Sequence, residues 1–301
     1  MSLNPVIYYN QQSTIDLFNS LLNGRWHTGL TCNTVGQIEM EELIIKNLSI
    51  ISTDQVLDFG SGVGFVTCDI HQMTGCKIVG VNISEKQIVL SKQLRSKLEI
   101  NKKFVDFLLI DDNLKKNSLP FPDQFFDKII FFESLCHVKD KKSLLREFYR
   151  VLKPGGLIGG EDWIVNPPWS HTDIQPICQT YSVPMLLSLN DHQHLFQSMN
   201  FDPINFTDLK DHYSLGSSFM MDYFEKLSVL ELIIYIIKYL FSYLSIRCKY
   251  PNLTIDYPYN NDQQSSTVTD IRMYGSVLDN AYRKNMFSVG LIVAQKSDHK
   301  I

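Results

Sequence analysis

Val56-Leu57-Asp58-Phe59-Gly60-Ser61-Gly62-Val63-Gly64 joins a short β-like run, Gln55–Phe59, to a helical one, Phe65–Met73, through three glycines at alternate positions. A turn built of glycines lets the backbone come close to a ligand, because no Cβ intervenes. The helix behind it presents free N–H groups and the positive end of its dipole, which suit a carboxylate or a phosphate. Asp58, just ahead of the glycines, narrows that choice. A carboxylate there attracts an ammonium group and repels a pyrophosphate. At a sheet edge it is also expected to contribute little to the core. Alternating glycines occur as well in tight turns that hold nothing, so the surrounding pattern has to agree.

It does. A second strand follows at Lys77–Asn82, then a helix from Ser84 to Leu98 with Ser84 as N-cap and Gln87 completing a capping box. Phe104–Ile110 reads as a third strand, and Asp127–Phe132 as a fourth after the turn Pro120-Phe121-Pro122-Asp123. An amphipathic helix, Lys141–Leu152, is closed by Pro154-Gly155-Gly156, and Leu157–Glu161 starts a fifth strand. Strands alternating with helices predict an α/β fold with a doubly wound, mostly parallel, Rossmann-like sheet. Around this core (54–165) the sequence predicts a helical N-terminal lid over 1–53 and a helical cap with substrate-binding insertions over 166–283. A C-terminal segment, 284–301, contains a strand, Met286–Gln295, expected to return to the sheet edge. Ligands of such folds bind outside the carboxyl ends of the strands.

Composition sets the other bounds. In 301 residues, 44% hydrophobic and 12% aromatic content is enough for a full core. With 28 basic against 32 acidic residues the net charge is -4, and nothing favours a nucleic-acid partner. Six cysteines without a CxxC pair, and an N-terminus (MSLNPVIYYN) with neither a charged nor an apolar leader region, predict a reducing, cytoplasmic setting. His192 and His194 form an HxH without companions, so no metal site is expected. The apolar run Leu227–Cys248 is interrupted by Glu231, Lys238 and Arg247. It reads as a buried or lid-forming helix, and membrane contact is not expected. A homo-oligomer is left open.

Three further groups carry chemistry. Glu133-Ser134-Leu135-Cys136-His137 stands just past the fourth strand, with Glu133 and His137 at a spacing that a helical turn would put on one face. Glu161-Asp162-Trp163 ends the fifth strand. Tyr8, Tyr9, Trp26 and His27 make an aromatic group near the N-terminus. Each has an ordinary alternative as cap, backbone partner or packing.

The runs VLDFGSGVG, GCKIVGVNISEKQI and FFESLCHVKDKKSLLREFYRVLKPGGLIGGEDWIV together resemble the class I S-adenosylmethionine (SAM)-dependent methyltransferases. Within them the chain is most similar to the sterol C-methyltransferases and related terpenoid and small-molecule enzymes. Residues 54–165 carry the resemblance, with weaker echoes in Tyr8–Gly29 and in MFSVGLIVAQK. It implies SAM as cofactor and S-adenosylhomocysteine (SAH) as product. Asp58, Gly60, Ser61 and Gly62 would hold the methionine end. Asn82, with Gln87 close in sequence, would meet the ribose hydroxyls; the superfamily usually has an acid where Asn82 stands. Asp111 or Asp112, with Asn113 beside them, would meet adenine. The resemblance further implies Glu133, His137, Tyr9 and Glu161 as catalytic residues, and Tyr8, Trp26 and Trp163 as substrate-binding. The acceptor it implies is small and apolar, methylated on carbon of a prenyl, terpenoid or sterol-like molecule through a carbocation. An N-methyltransferase of small amines or alkaloids and a non-catalytic SAM-fold binding protein are the alternatives.

Overall fold

Hydrophobic side chains on both faces of β1 (Gln55–Phe59) force it into the middle of a sheet, and Val56 and Leu57 are fully buried there. The computed structural model describes residues 5–12, 14–15, 19, 24–30, 34–111, 118–170, 172–210, 237, 240–241, 244–245, 247–250, 281 and 284–297. Beside β1 run β2 (Lys77–Asn82) and β4 (Phe126–Phe132), with β3 (Val105–Leu109) beyond β2 and β5 (Leu152–Val165) beyond β4. All these pairs are parallel. Two more strands complete a seven-stranded sheet among the described residues, ordered β3-β2-β1-β4-β5-β7-β6. β7 (Phe287–Lys296) runs antiparallel to both β5 and β6 (Phe201–Asp208).

The helices between strands cover both faces. α1 (Pro5–Asn10) and α2 (Thr34–Leu48) precede the sheet, and Ile38, Ile44 and Leu48 of α2 are fully buried. α3 (Phe65–Thr74) ends on Gly75 in the left-handed region, whose N–H reaches the His71 carbonyl. α4 (Glu85–Lys97) starts on Ser84, whose hydroxyl accepts from the Gln87 N–H. The reciprocal half of that capping box is not made, because the Gln87 amide goes elsewhere, as described below. On the amphipathic α5 (Lys141–Val151), Leu144, Leu145, Phe148 and Val151 go inward. α6 (Gln175–Thr180) and α7 (Leu189–Gln197) follow β5.

Two differences from the sequence reading stand out. β6 lies inside the stretch read as helical cap, and it takes the sheet edge, so β7 is one strand in rather than at the edge. Pro203 obscures β6 in the sequence; an edge strand tolerates proline, and the pairing shifts register between Pro203 and Asn205. β5 is also longer than predicted at both ends. Residues 211–236 and 251–280, which hold nearly half of the expected cap, lie outside the described residues. Among the described residues no helix is long and apolar enough to cross a membrane.

Candidate active site

The glycine turn after β1 uses its glycines for two different reasons. Gly60 (φ 84°), Gly62 (φ 53°) and Gly64 (φ 96°) all lie in the left-handed region. A Cβ on Gly60 would fall 2.5 Å from Ser134 Cβ, and one on Gly64 would fall 2.7 Å from Ser91 Cβ. At Gly62 the nearest atoms belong to Trp26 at an ordinary 3.5 Å, so that glycine is required by its backbone alone. The Val81 carbonyl accepts from both Gly60 N–H (2.9 Å) and Ser61 N–H (3.1 Å), tying the turn to β2.

What the turn presents fits the amino-acid end of SAM. No side chain caps α3 at Gly64, which leaves first-turn N–H groups for a carboxylate. The Ser61 hydroxyl is buried without a protein partner. Asp58 is also buried, contrary to the edge position expected of it. Thr67 Oγ1 donates to its Oδ2 at 2.5 Å, and burial pushes the carboxyl up to about 7. A cation beside it favours the ionised form. The structure places Asn82 at the carboxyl end of β2 and commits much of its amide. Nδ2 donates to the Gly62 carbonyl (3.2 Å) and to Gln87 Oε1 (2.7 Å), while Oδ1 accepts from Ser84 N–H (3.1 Å). One acceptor position on Oδ1 remains for a ribose hydroxyl. Gln87 in turn donates to the Tyr9 carbonyl (3.2 Å), as does the Ser84 hydroxyl (2.9 Å), so both hold α1 against the cofactor side. Asp111 is exposed just past β3; Asp112 and Asn113 lie outside the described residues.

Across the turn, Glu133, His137, Tyr9 and Trp26 come together. Glu133 follows β4 with φ 44°, a left-handed conformation uncommon for a residue with a side chain. That backbone breaks any helix through 133–137. Only Leu135–His137 forms a 3₁₀ turn, so the expected shared helical face is replaced by a bend. The Glu133 carboxyl accepts from the Thr28 N–H (2.8 Å) and, closely, from the Thr28 hydroxyl. Burial, then the charge of Glu161, pushes it up to about 8. His137 Nε2 lies 2.7 Å from the Tyr9 hydroxyl, and its Nδ1 lies 3.3 Å from the Ser182 carbonyl. Burial lowers this imidazole to about 4, so it is neutral: Nδ1–H donates to Ser182 and Nε2 accepts from Tyr9. Burial keeps Tyr9 protonated, well above the usual phenol range. Tyr8 packs edge-on at 5.0 Å from Tyr9, and the Trp26 ring lies tilted at 6.0 Å from it.

Two residues predicted for the site sit deeper. Glu161 is fully buried and accepts from His27 Nδ1 at 2.7 Å. Trp163 packs among Tyr181 and Phe287, with ring centres at 5.2 and 5.5 Å, as a core residue. Sequence reasoning passed over Thr28 and gave Ser134 (hydroxyl to the Phe59 carbonyl, 2.7 Å) no role of its own; Asp162 it named beside Glu161 at the end of the fifth strand. Asp162 Oδ1 accepts from the Trp163 N–H, its Oδ2 is buried without a protein partner, and burial raises it to about 7. It also missed Glu41, whose signal was legible: a carboxylate within the apolar stripe Ile38, Ile44, Leu48 of α2.

Residues 57–159 match the family model described as a methyltransferase domain. The sterol 24-C-methyltransferase of Eremothecium gossypii is 32% identical over 153 residues, which cover 50% of this chain and 38% of that protein. The chain thus spans less than half the length of that relative. A putative sarcosine dimethylglycine methyltransferase from Galdieria sulphuraria superposes with a TM-score of 0.69 at 16% identity, covering 96% of this chain and 99% of that one. Geranyl diphosphate C-methyltransferase from Streptomyces coelicolor A3(2), solved with Mg²⁺, geranyl diphosphate and SAH, gives 0.61 at 18% identity, over 87% and 79% of the two chains. At such identities the two structures establish the fold alone: a seven-stranded, mostly parallel sheet with flanking helices, like that of class I methyltransferases.

Proposed function

We propose that this chain is a SAM-dependent enzyme that methylates carbon on a small apolar acceptor of prenyl, terpenoid or sterol-like type. Bound at the glycine turn, SAM would supply an electrophilic methyl group on a sulfonium. The chain's own residues account for the rest. Asp58, Ser61 and the uncapped start of α3 bind the amino-acid end, and α1 covers the reacting side through Tyr9 and the bonds from Ser84 and Gln87. Methyl transfer to an alkene leaves a carbocation on the acceptor. It needs aromatic faces, an excluded solvent and a nearby carboxylate to remove a proton. Tyr9 and Trp26 offer the faces, and Glu133 offers the carboxylate. The single observation that carries this reading is Glu133 itself, at the strand end in a left-handed bend, with Thr28 fixing its orientation. The resemblance to sterol and geranyl diphosphate C-methyltransferases supports carbon as the target. The buried thiols Cys68, Cys76 and Cys136 are free, which suits a reducing, cytoplasmic setting.

A second reading rests on a different contact. A nitrogen nucleophile could pass its proton to the Tyr9 hydroxyl as Tyr9 passes its own to His137 Nε2, which suits N-methylation of a small amine. Methyl-labelled SAM, offered with prenyl, terpenoid and sterol acceptors and separately with small amines, decides between them. Label in the apolar products is expected. Label only in the amines would replace the first reading with the second.

A further inference from the structure

Residues 24–30 link the N-terminal aromatic segment to α2, and their side chains alternate in direction. Trp26 and Thr28 go to the reacting side, one against Gly62 and the other onto Glu133. Arg25 and His27 go the opposite way, into a fully enclosed ionic cluster. There Arg25 Nη2 meets Asp69 Oδ2 at 2.7 Å, and its Nε lies 3.5 Å from Glu41 Oε1. His27 Nδ1 meets Glu161 Oε1 at 2.7 Å, and its Nε2 lies 3.4 Å from the same Glu41 oxygen. The amide of Gln37 donates to the His27 carbonyl at 2.6 Å. The loop is thereby pinned to three separate elements: α2 through Glu41, α3 through Asp69 and β5 through Glu161. It needs the pinning, since Trp26 (φ 55°) is held in the left-handed region, which is costly for a residue with a side chain.

An ionic cluster is a poor way to fill a core, because desolvating its members cancels most of their attraction; similar volumes of apolar side chain do as well or better. Its distinguishing property is geometry. From these contacts we infer that His27 is a positioning residue for Glu133: by bridging Glu161 and Glu41 it fixes the loop so that both donors of Thr28 stay on the Glu133 carboxyl. This inference rests on the reading of Glu133 as the reacting carboxylate. The charged groups around that carboxyl agree with it. Glu161 faces it from β5 and raises it, while His27 lowers it from the loop. Tyr9 from α1 and Cys136 from the 3₁₀ turn also lie within reach of that carboxyl, while Glu41, Asp58 and Asp69 surround His27. Burial alone would lower His27, but its bonds to Glu161 and Glu41, with their charges, raise it to about 9, so it is a cation at neutral pH.

The test measures Glu133 directly, by the carboxyl ¹³C shift of glutamate-labelled protein, beside the pH profile of kcat. In His27→Gln and in Thr28→Val, Glu133 should titrate at more alkaline pH. The pH profile should move with it, and kcat on its acid limb should fall about tenfold for each pH unit of that movement. SAM affinity should hold. Thr28→Val leaves the ionic cluster intact, so it decides the matter even where His27→Gln folds poorly. A parental Glu133 titration in folded Thr28→Val overturns the inference, as does a His27→Gln that only melts earlier. Parental turnover in Glu133→Gln would instead refute the reading of Glu133, while the ¹³C titration still reports on His27.

Discussion

A carboxyl raised to about 8 is mostly protonated at neutral pH, and in that form Glu133 neither stabilises a carbocation nor removes a proton. An opposite charge close by restores the carboxylate. The sulfonium of SAM carries such a charge and SAH does not. Calorimetry at pH 7 in two buffers of different ionisation enthalpy should therefore show proton release on binding SAM and less on binding SAH. Equal release with both ligands would mean that Glu133 does not sense the sulfonium. Asp58 calls for a revised expectation. Because it is buried on Thr67, Asp58→Ala should weaken SAM binding and also destabilise the fold by about 1–3 kcal/mol through the stranded hydroxyl. A melt unchanged from the parent would contradict that second effect. Glu133 was legible in the sequence because it ends a strand at the ligand edge. Thr28 was not: 105 residues separate it from Glu133, and nothing in Trp26-His27-Thr28 marks the threonine as a donor.

Among the elements, the turn between β1 and α3 makes the sharpest distinction. Both Gly62→Ala and Gly64→Ala force a side chain into the left-handed region, at about 1–2 kcal/mol each. Gly64→Ala adds contacts of 2.7 Å to Ser91 and 2.8 Å to Phe107, and overpacking of that kind costs roughly another 1–3 kcal/mol. Chemical denaturation should rank Gly64→Ala clearly below Gly62→Ala, and equal midpoints would show that the turn relaxes. α1 should behave as a cover. Its contacts run through Tyr9 to Ser84, Gln87 and His137, and SAM beneath it should slow hydrogen exchange over residues 5–12. Exchange there that ignores SAM would remove the lid. The lid-forming helix expected over Leu227–Cys248 falls mostly outside the described residues. Strands β1 to β4 were legible from periodicity and glycine punctuation within a residue or two. β6 was not, because its proline hid an edge strand and its partner β7 comes about eighty residues later.

For the molecule as a whole, the enclosed charges predict how stability depends on pH. His27 is raised from 6.5 to about 9, so its contribution is fully present below 6.5 and is lost as pH rises through 9. Buried acids act in the same direction: Glu133 and Asp69, each raised to about 8, bind protons in the folded state that the unfolded chain has released. The melting temperature should fall from pH 7 to pH 9, and His27→Gln should flatten part of that fall. A melting temperature that rises over this range would contradict the charge states assigned to the cluster. The sheet and the cofactor turn were visible in the sequence because they follow local periods. The ionic cluster was not, since Arg25, Glu41, Asp69 and Glu161 meet only when the sheet has formed. The central claim, SAM-dependent transfer with Glu133 as the reacting carboxylate, is tested most directly by Glu133→Gln, with turnover and SAM affinity measured on the same preparation. Turnover on an apolar acceptor should drop by about 10²–10³ while SAM binds nearly as in the parent; parental turnover in that variant would contradict the claim.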